Sequence, residues 1–226
     1  MRFVILHGAG PHGAAAPLPP PGTRPGAAVL ESITLAPAEA GVCMARGSGE
    51  MQKVDAPVAI PVAGLSIVEA ESRQAVADWL GEATLHGGEA CFEIRETGCA
   101  GGLAGVDPNG AATQPRFLVL LKADADTEAE SPADPDRLAA MARRNDESVR
   151  SGTLLAGDGL RSTARATRVR AGSGRPSVLD GPFAETKELV AGFWLIQAGS
   201  MDQAMAWVRH YPFAQDRPEV EIRPVR

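Results

Sequence analysis

Two periods alternate along the chain. Arg2-Phe3-Val4-Ile5-Leu6, Gly64-Leu65-Ser66-Ile67-Val68-Glu69-Ala70 and Cys91-Phe92-Glu93-Ile94-Arg95 are short runs rich in β-branched and aromatic residues, and each predicts a strand. The same character returns at Arg116-Phe117-Leu118-Val119-Leu120-Leu121, Thr153-Leu154-Leu155-Ala156, Ala166-Thr167-Arg168-Val169-Arg170 and Val220-Glu221-Ile222-Arg223-Pro224. Helical spacing appears after three capping signals. Ser72 precedes Ala75, Val76, Trp79 and Leu80, whose three- and four-residue spacing gives one buried face. Asp134-Pro135-Asp136 opens a helix with Leu138, Met141, Ala142, Asn145 and Val149 on one face, and Gly152 closes it. Ser200-Met201-Asp202-Gln203 has capping-box spacing before Ala204, Trp207 and Val208. Ala27 to Ile33 reads as a short helix, followed by short strands at Ile33 to Ala36 and Gly41 to Ala45. Phe193-Trp194-Leu195-Ile196 is apolar on both sides, so one face should meet helices and the other a second sheet.

Glycine and proline punctuate this pattern. The run Ala16 to Gly26 holds too much proline for a helix or a central strand and reads as an irregular loop. Thr97 to Pro115 carries Gly98, Gly101, Gly102, Gly105, Pro108 and Gly110 and reads as a linker. The predicted organisation is a first unit at 1–97, a linker at 98–115 and a second unit at 116–226. The two units share an order of features. Gly64 to Arg95 aligns with Gly192 to Arg223 without a gap, matching Ser72 with Ser200, Trp79 with Trp207 and Glu93-Ile94-Arg95 with Glu221-Ile222-Arg223. Asp55 and Pro57 match Asp180 and Pro182. The chain therefore reads as a tandem duplication whose first copy is degenerate.

Composition narrows the function classes. With 226 residues, 44% hydrophobic and 22% charged, the chain suits a soluble globular protein of one large or two small domains. A net charge of -6 argues against a nucleic-acid backbone or an anionic membrane as the main partner. Cys43, Cys91 and Cys99 form no CxxC pair, and His7, His12, His86 and His210 have no metal-ligand spacing. No metal site, cofactor or transmembrane span is expected, and a reducing cytoplasm is the expected compartment. The glycines near Gly8 and Gly98 lack the context of a phosphate loop, so nucleotide binding is rejected.

The most specific stretch is Asp180-Gly181-Pro182-Phe183-Ala184-Glu185-Thr186-Lys187-Glu188, followed by Gly192-Phe193. Together with the strand ending in Leu121-Lys122, the run Leu154-Leu155-Ala156-Gly157-Asp158-Gly159-Leu160 and the terminal Glu221-Ile222-Arg223-Pro224, it resembles the bacterial YCII-related, or DGPF, family across residues 116–226. The resemblance implies an α+β fold. Two ferredoxin-like units would form a dimeric α+β barrel, here within one chain as a pseudo-dimer, with homo-oligomers open. It also implies a possible protein partner, since relatives lie beside genes for alternative sigma factors.

Asp180 is the leading catalytic candidate, because an acid at a Gly-Pro turn beside an apolar strand is a potential general base or acid once desolvated. Shaping the turn through backbone amides is the competing role. Glu185, Lys187 and Glu188 have no counterpart in the first copy and are candidate ligand-binding residues, as is Phe183. Arg168 and Arg170 share one side of a strand and suit an anionic substrate; Arg161 is placed at a pocket rim. His210, near a helix end, is read as a dipole partner. The expected function is binding of an unknown small molecule, or metal-independent proton-transfer or lyase chemistry, in a cavity near Asp180. The alternative is a non-catalytic regulatory module linked to transcription initiation.

Overall fold

The computed structural model describes residues 1–8, 15, 18–19, 27–47, 49–56, 60–82, 90–98, 112–172, 175–183 and 189–226. Its strands in chain order are β1 (Arg2–Gly8), β2 (Ala27–Thr34), β3 (Val42–Arg46), β4 (Met51–Val54), β5 (Val62–Ala70), β6 (Ala90–Glu96), β7 (Arg116–Lys122), β8 (Leu154–Gly159), β9 (Thr167–Ala171), β10 (Ser177–Asp180), β11 (Val190–Gln197) and β12 (Glu219–Pro224). The helices are α1 (Arg73–Gly81), α2 (Ala125–Glu128), α3 (Pro135–Arg150) and α4 (Met201–Arg209). None is long and apolar enough to cross a membrane.

The strands form two six-stranded sheets, ordered β10-β9-β6-β1-β5-β2 and β4-β3-β12-β7-β11-β8. Every named strand pair is antiparallel. Each sheet draws strands from both sides of the 98–115 segment. β3 and β4 leave the first half to pair on β12, while β9 and β10 leave the second half to pair on β6. The registers correspond from sheet to sheet. Arg2 faces Glu69 as Arg116 faces Gln197, and Cys91 faces Arg170 as Glu219 faces Ala45. Cys43 faces Val54 as Arg168 faces Leu179.

Apolar side chains pack between the sheets. Val4, Leu6, Leu65 and Ile67 of the first sheet pack with Leu118, Leu120, Phe193 and Leu195 of the second. The opposite face of β11 presents Trp194 and Ile196 to α3 and α4, together with Met141, Ala204 and Trp207. The double apolar character of this strand is thus met as expected: one face under helices, the other against a sheet.

Local signals place the helices. Ser72 Oγ accepts from Ala75 N at 3.1 Å, and Asp134 Oδ1 accepts from Asp136 N at 2.8 Å. Gly152 follows α3 with φ +74, a left-handed position that suits glycine. Ser200 Oγ accepts from Gln203 N at 3.3 Å, but the capping box is not reciprocal, since Gln203 Oε1 accepts from Gly199 N instead.

Two expectations need correction. Ala27 to Ile33 is not a helix but most of β2, an edge strand. Pairing with β5 supplies backbone partners, and Ser32 Oγ bonds Ser66 Oγ at 2.8 Å, so tertiary contact overrides weak local preference. On α3 the buried positions are Met141, Asn145 and Ser148, whereas Val149 is 40% exposed. Polar residues occupy the buried stripe because aromatic donors and acceptors meet them. Trp207 Nε1 donates to Ser148 Oγ at 3.1 Å, Trp194 Nε1 to Tyr211 Oη at 3.0 Å, and Tyr211 Oη to Asn145 Oδ1 at 2.7 Å. Burial pushes the Tyr211 phenol well above its ordinary range.

Candidate functional site

A cavity of about 270 Å³ lies on the helix side of the second sheet, under the segment joining α2 to α3. Its existence follows from side-chain volume. Gly157 faces Trp194 across the ladder, and Gly192 faces both Gly159 and Leu121. Directly paired residues share a face, so three glycines stand where α3 would otherwise meet side chains. Leu121, Leu138, Met141, Ala191 and Trp194 form the apolar wall. Asp158 also borders the space, but it pairs with Phe193 and shares that residue's sheet-facing side. Its Oδ1 accepts from Gly98 N at 3.2 Å. Burial pushes the Asp158 carboxyl upward, with the Gly98 amide and Arg2 opposing.

The rim is polar. Glu130, Arg161, Ser131 and Gln215 border the opening. Glu130 adopts φ +50, a left-handed backbone unusual for a side-chain-bearing residue, of the kind that clusters at ligand sites. Its Oε1 accepts from Ser162 N at 3.1 Å, and its carboxylate lies 3.4 Å from Arg161 and 3.7 Å from Arg165. The Ser162 amide first, then the two arginines, hold the Glu130 carboxyl below its ordinary value. Arg161 is fixed by its backbone: its N–H donates to Glu96 O at 3.0 Å and its carbonyl accepts from Arg95 Nη2 at 2.6 Å. Arg95, only 1% exposed, comes from β6 of the first half and also reaches Glu93 at 3.0 Å and Glu128 at 3.9 Å.

The motif turn lies elsewhere. Asp180 ends β10, is exposed, and accepts from Thr167 Oγ1 at 2.5 Å. Desolvation of this acid, expected from the sequence, is not observed, because β10 is an edge strand whose four residues are all exposed. Val178 and Leu179 are among its large exposed apolar residues, at 50% and 61%. With Ser72, Arg73, Glu96 and Thr167, Asp180 borders a separate open groove of about 310 Å³ against the start of α1. The turn itself is tight. A Cβ on Gly181 would sit 1.8 Å from the Thr163 carbonyl oxygen, while Gly181 N donates to Ala166 O at 3.0 Å.

The other predicted residues scatter. Phe183 is buried, its N–H donates to Thr163 Oγ1 at 3.2 Å, and the Arg168 guanidinium stacks 3.9 Å above its ring. Arg168 Nε also donates to Glu93 at 2.8 Å, so this arginine joins β9 to β6. Arg170 is exposed. Glu185, Lys187 and Glu188 lie outside the described residues. His210 Nδ1 donates to Ala206 O at 2.8 Å at the end of α4, in keeping with its expected helix-end role. Arg161 sits at a cavity rim, where the sequence placed it. The cavity floor was missed, because the predicted strand stopped at Ala156, whereas β8 runs on to Gly159 and places Gly157 and Gly159 on one face.

Residues 116–226 match the YCII-related domain. The match covers just under half of the chain. Its cavity glycines Gly157, Gly159 and Gly192 and the turn Asp180 to Phe183 all fall inside that match. A stretch of 64 residues is also 41% identical to an uncharacterized protein of Rhizobium meliloti (strain 1021), covering 28% of this chain and 52% of that protein. The chain thus spans about half the length of that curated relative. The sheet built on β7, β8, β11 and β12 of the matched residues is completed in space by β3 and β4 from outside them.

Proposed function

We propose that the protein binds a small molecule in the cavity of its YCII-related half, as a binding protein or as an enzyme of proton-transfer or lyase type. The observation that carries this reading is the glycine-floored cavity beneath α3, apolar inside and polar at the rim. An engineered apolar cavity of about 150 Å³ takes up benzene, so about 270 Å³ accommodates a substituted ring. In this reading Asp180 shapes the hairpin through Thr167, and the first half acts as a scaffold.

The architecture is part of the proposal. The matching registers of the two sheets and their reciprocal strand exchange support a tandem duplication folded as an intramolecular dimeric α+β barrel. Such an arrangement explains why buried Arg95 of one half clamps the Arg161 carbonyl of the other.

The test uses neutral probes. Toluene and indole are expected to raise the melting temperature of the wild-type chain, because they bind only the folded state. Gly157→Val and Leu138→Trp fill the cavity from opposite walls and should abolish the shift. No shift in the wild type, or an undiminished shift in both folded variants, would overturn the reading.

A further inference from the structure

The cavity's polar rim specifies the ligand more closely than its size does. We propose that the cavity takes a ring-bearing molecule with a single carboxylate, the ring against Trp194 and the carboxylate on Arg161. This rests on the cavity being a ligand site.

The charge distribution around the opening carries the inference. Among the described residues bordering the cavity, Asp158, Glu130 and Arg161 are ionisable, with opposing signs. Asp158 sits on the sheet-facing side of β8 and bonds Gly98 N, so its carboxylate is turned from the space. Glu130 has partners besides Arg161: Ser162 N donates to it at 3.1 Å and Arg165 lies 3.7 Å away. Arg161 is in the opposite condition. A guanidinium has five N–H donors, and the side-chain contact found for Arg161 among the described residues is the 3.4 Å approach of Nη1 to Glu130. Its side chain is 36% exposed, so part of it is open to a ligand.

Placement adds to this. The Arg161 backbone is bonded on both sides, to Glu96 O and by Arg95 Nη2. The cation is therefore presented from a fixed point, with little loop ordering left to oppose binding. A planar guanidinium beside an apolar chamber suits two parallel N–H···O bonds to a carboxylate. The chamber has Trp194 on its wall, and aromatic faces favour ring partners. A dianion would meet Glu130 and lose by repulsion, which restricts the class to one negative charge.

The experiment compares phenylacetate and 3-phenylpropionate with their neutral amides by calorimetry and tryptophan fluorescence on the full chain. Each carboxylate should bind about tenfold or more tighter than its amide in the wild type, as expected for one charge-assisted contact. Arg161→Gln should bring acid and amide to equal affinity. Arg161→Lys should restore part of the preference, since the charge remains and the bidentate geometry is lost. Equal affinity for acid and amide, or a preference that survives Arg161→Gln, would overturn the carboxylate assignment and leave the cavity reading standing. Failure of toluene and indole as well would overturn both.

Discussion

Trp194 and Ser66 occupy corresponding positions in the two sheets, each on the helix side of a central strand. Around Trp194 stand glycines, and a cavity opens under α3. Around Ser66 the space is closed by hydrogen bonding: His7 Nε2 lies 2.9 Å from Ser66 Oγ, which lies 2.8 Å from Ser32 Oγ. His7 is 3% exposed and meets Phe92 edge to face at 5.5 Å. The two ladders have the same register, so backbone geometry is not what distinguishes the halves. What differs is which positions carry volume. Ser32 pairs with Ser66 where Gly157 pairs with Trp194. With matching registers, the second sheet thus holds a chamber where its strands carry glycine and a large aromatic stands at the wall.

The motif turns give a second contrast, and the largest expected effect tests it. Gly181 follows Asp180 as Ala56 follows Asp55. A Cβ at Gly181 would overlap the Thr163 carbonyl, whereas Ala56 is exposed and already has one. Gly181→Ala should cost about 3 kcal/mol in urea denaturation, the upper range for one substitution. Ala56→Gly should cost only about 0.5 kcal/mol through backbone entropy. Equal costs at the two positions would mean the turns are packed alike.

A smaller effect concerns how each outer face satisfies its polar groups. Tyr211→Phe leaves the buried Trp194 Nε1 and Asn145 Oδ1 without their shared hydroxyl. A loss of about 2 kcal/mol is expected from two stranded polar atoms. Ser66→Ala removes the corresponding bridge in the first half, and a comparable loss there would show that both faces rely on one hydroxyl. An unchanged urea midpoint for Tyr211→Phe would refute the network's contribution.

The smallest effect is pH-dependent and belongs to the second half. Glu130 is held below its ordinary 4.5 by the Ser162 amide and the nearby arginines. Its folded form therefore binds protons less readily than the unfolded chain. The resulting stability is full above the ordinary value and is lost as pH falls through the lowered folded value. Because this carboxylate is partly exposed, the contribution at neutral pH is below about 1 kcal/mol. Glu130→Gln should be less stable than the wild type at neutral pH and equal to it in strong acid. A gap that persists in acid would assign the effect to packing instead.

Much of the fold was legible in the chain. Ser72, Asp134 and Ser200 announce α1, α3 and α4 through local hydrogen bonds that need only a few neighbouring residues. The aligned turns and strands of the two halves anticipated the matching registers. Less of the site was legible. Arg161 was placed at a rim, but Asp180 was expected to be desolvated and lies exposed on an edge strand. Its environment depends on which strand stands beside β10, and no residue in the motif encodes that. Ala27 to Ile33 failed as a helix for a related reason, since pairing with β5 outweighs a short segment's own preference.

The sequence by itself determined where α1, α3 and α4 begin and that β11 is apolar on both faces. Those are properties of neighbours in the chain, set by sterics and local hydrogen bonds. Only the tertiary structure decided that β3 and β4 complete one sheet while β9 and β10 complete the other. It alone set Arg95 of the first half against Arg161 of the second, and left a chamber over the glycines rather than a packed core. Backbone groups of any strand can pair with any other. The partner is chosen by the burial of whole faces, and that choice is made between segments distant in sequence.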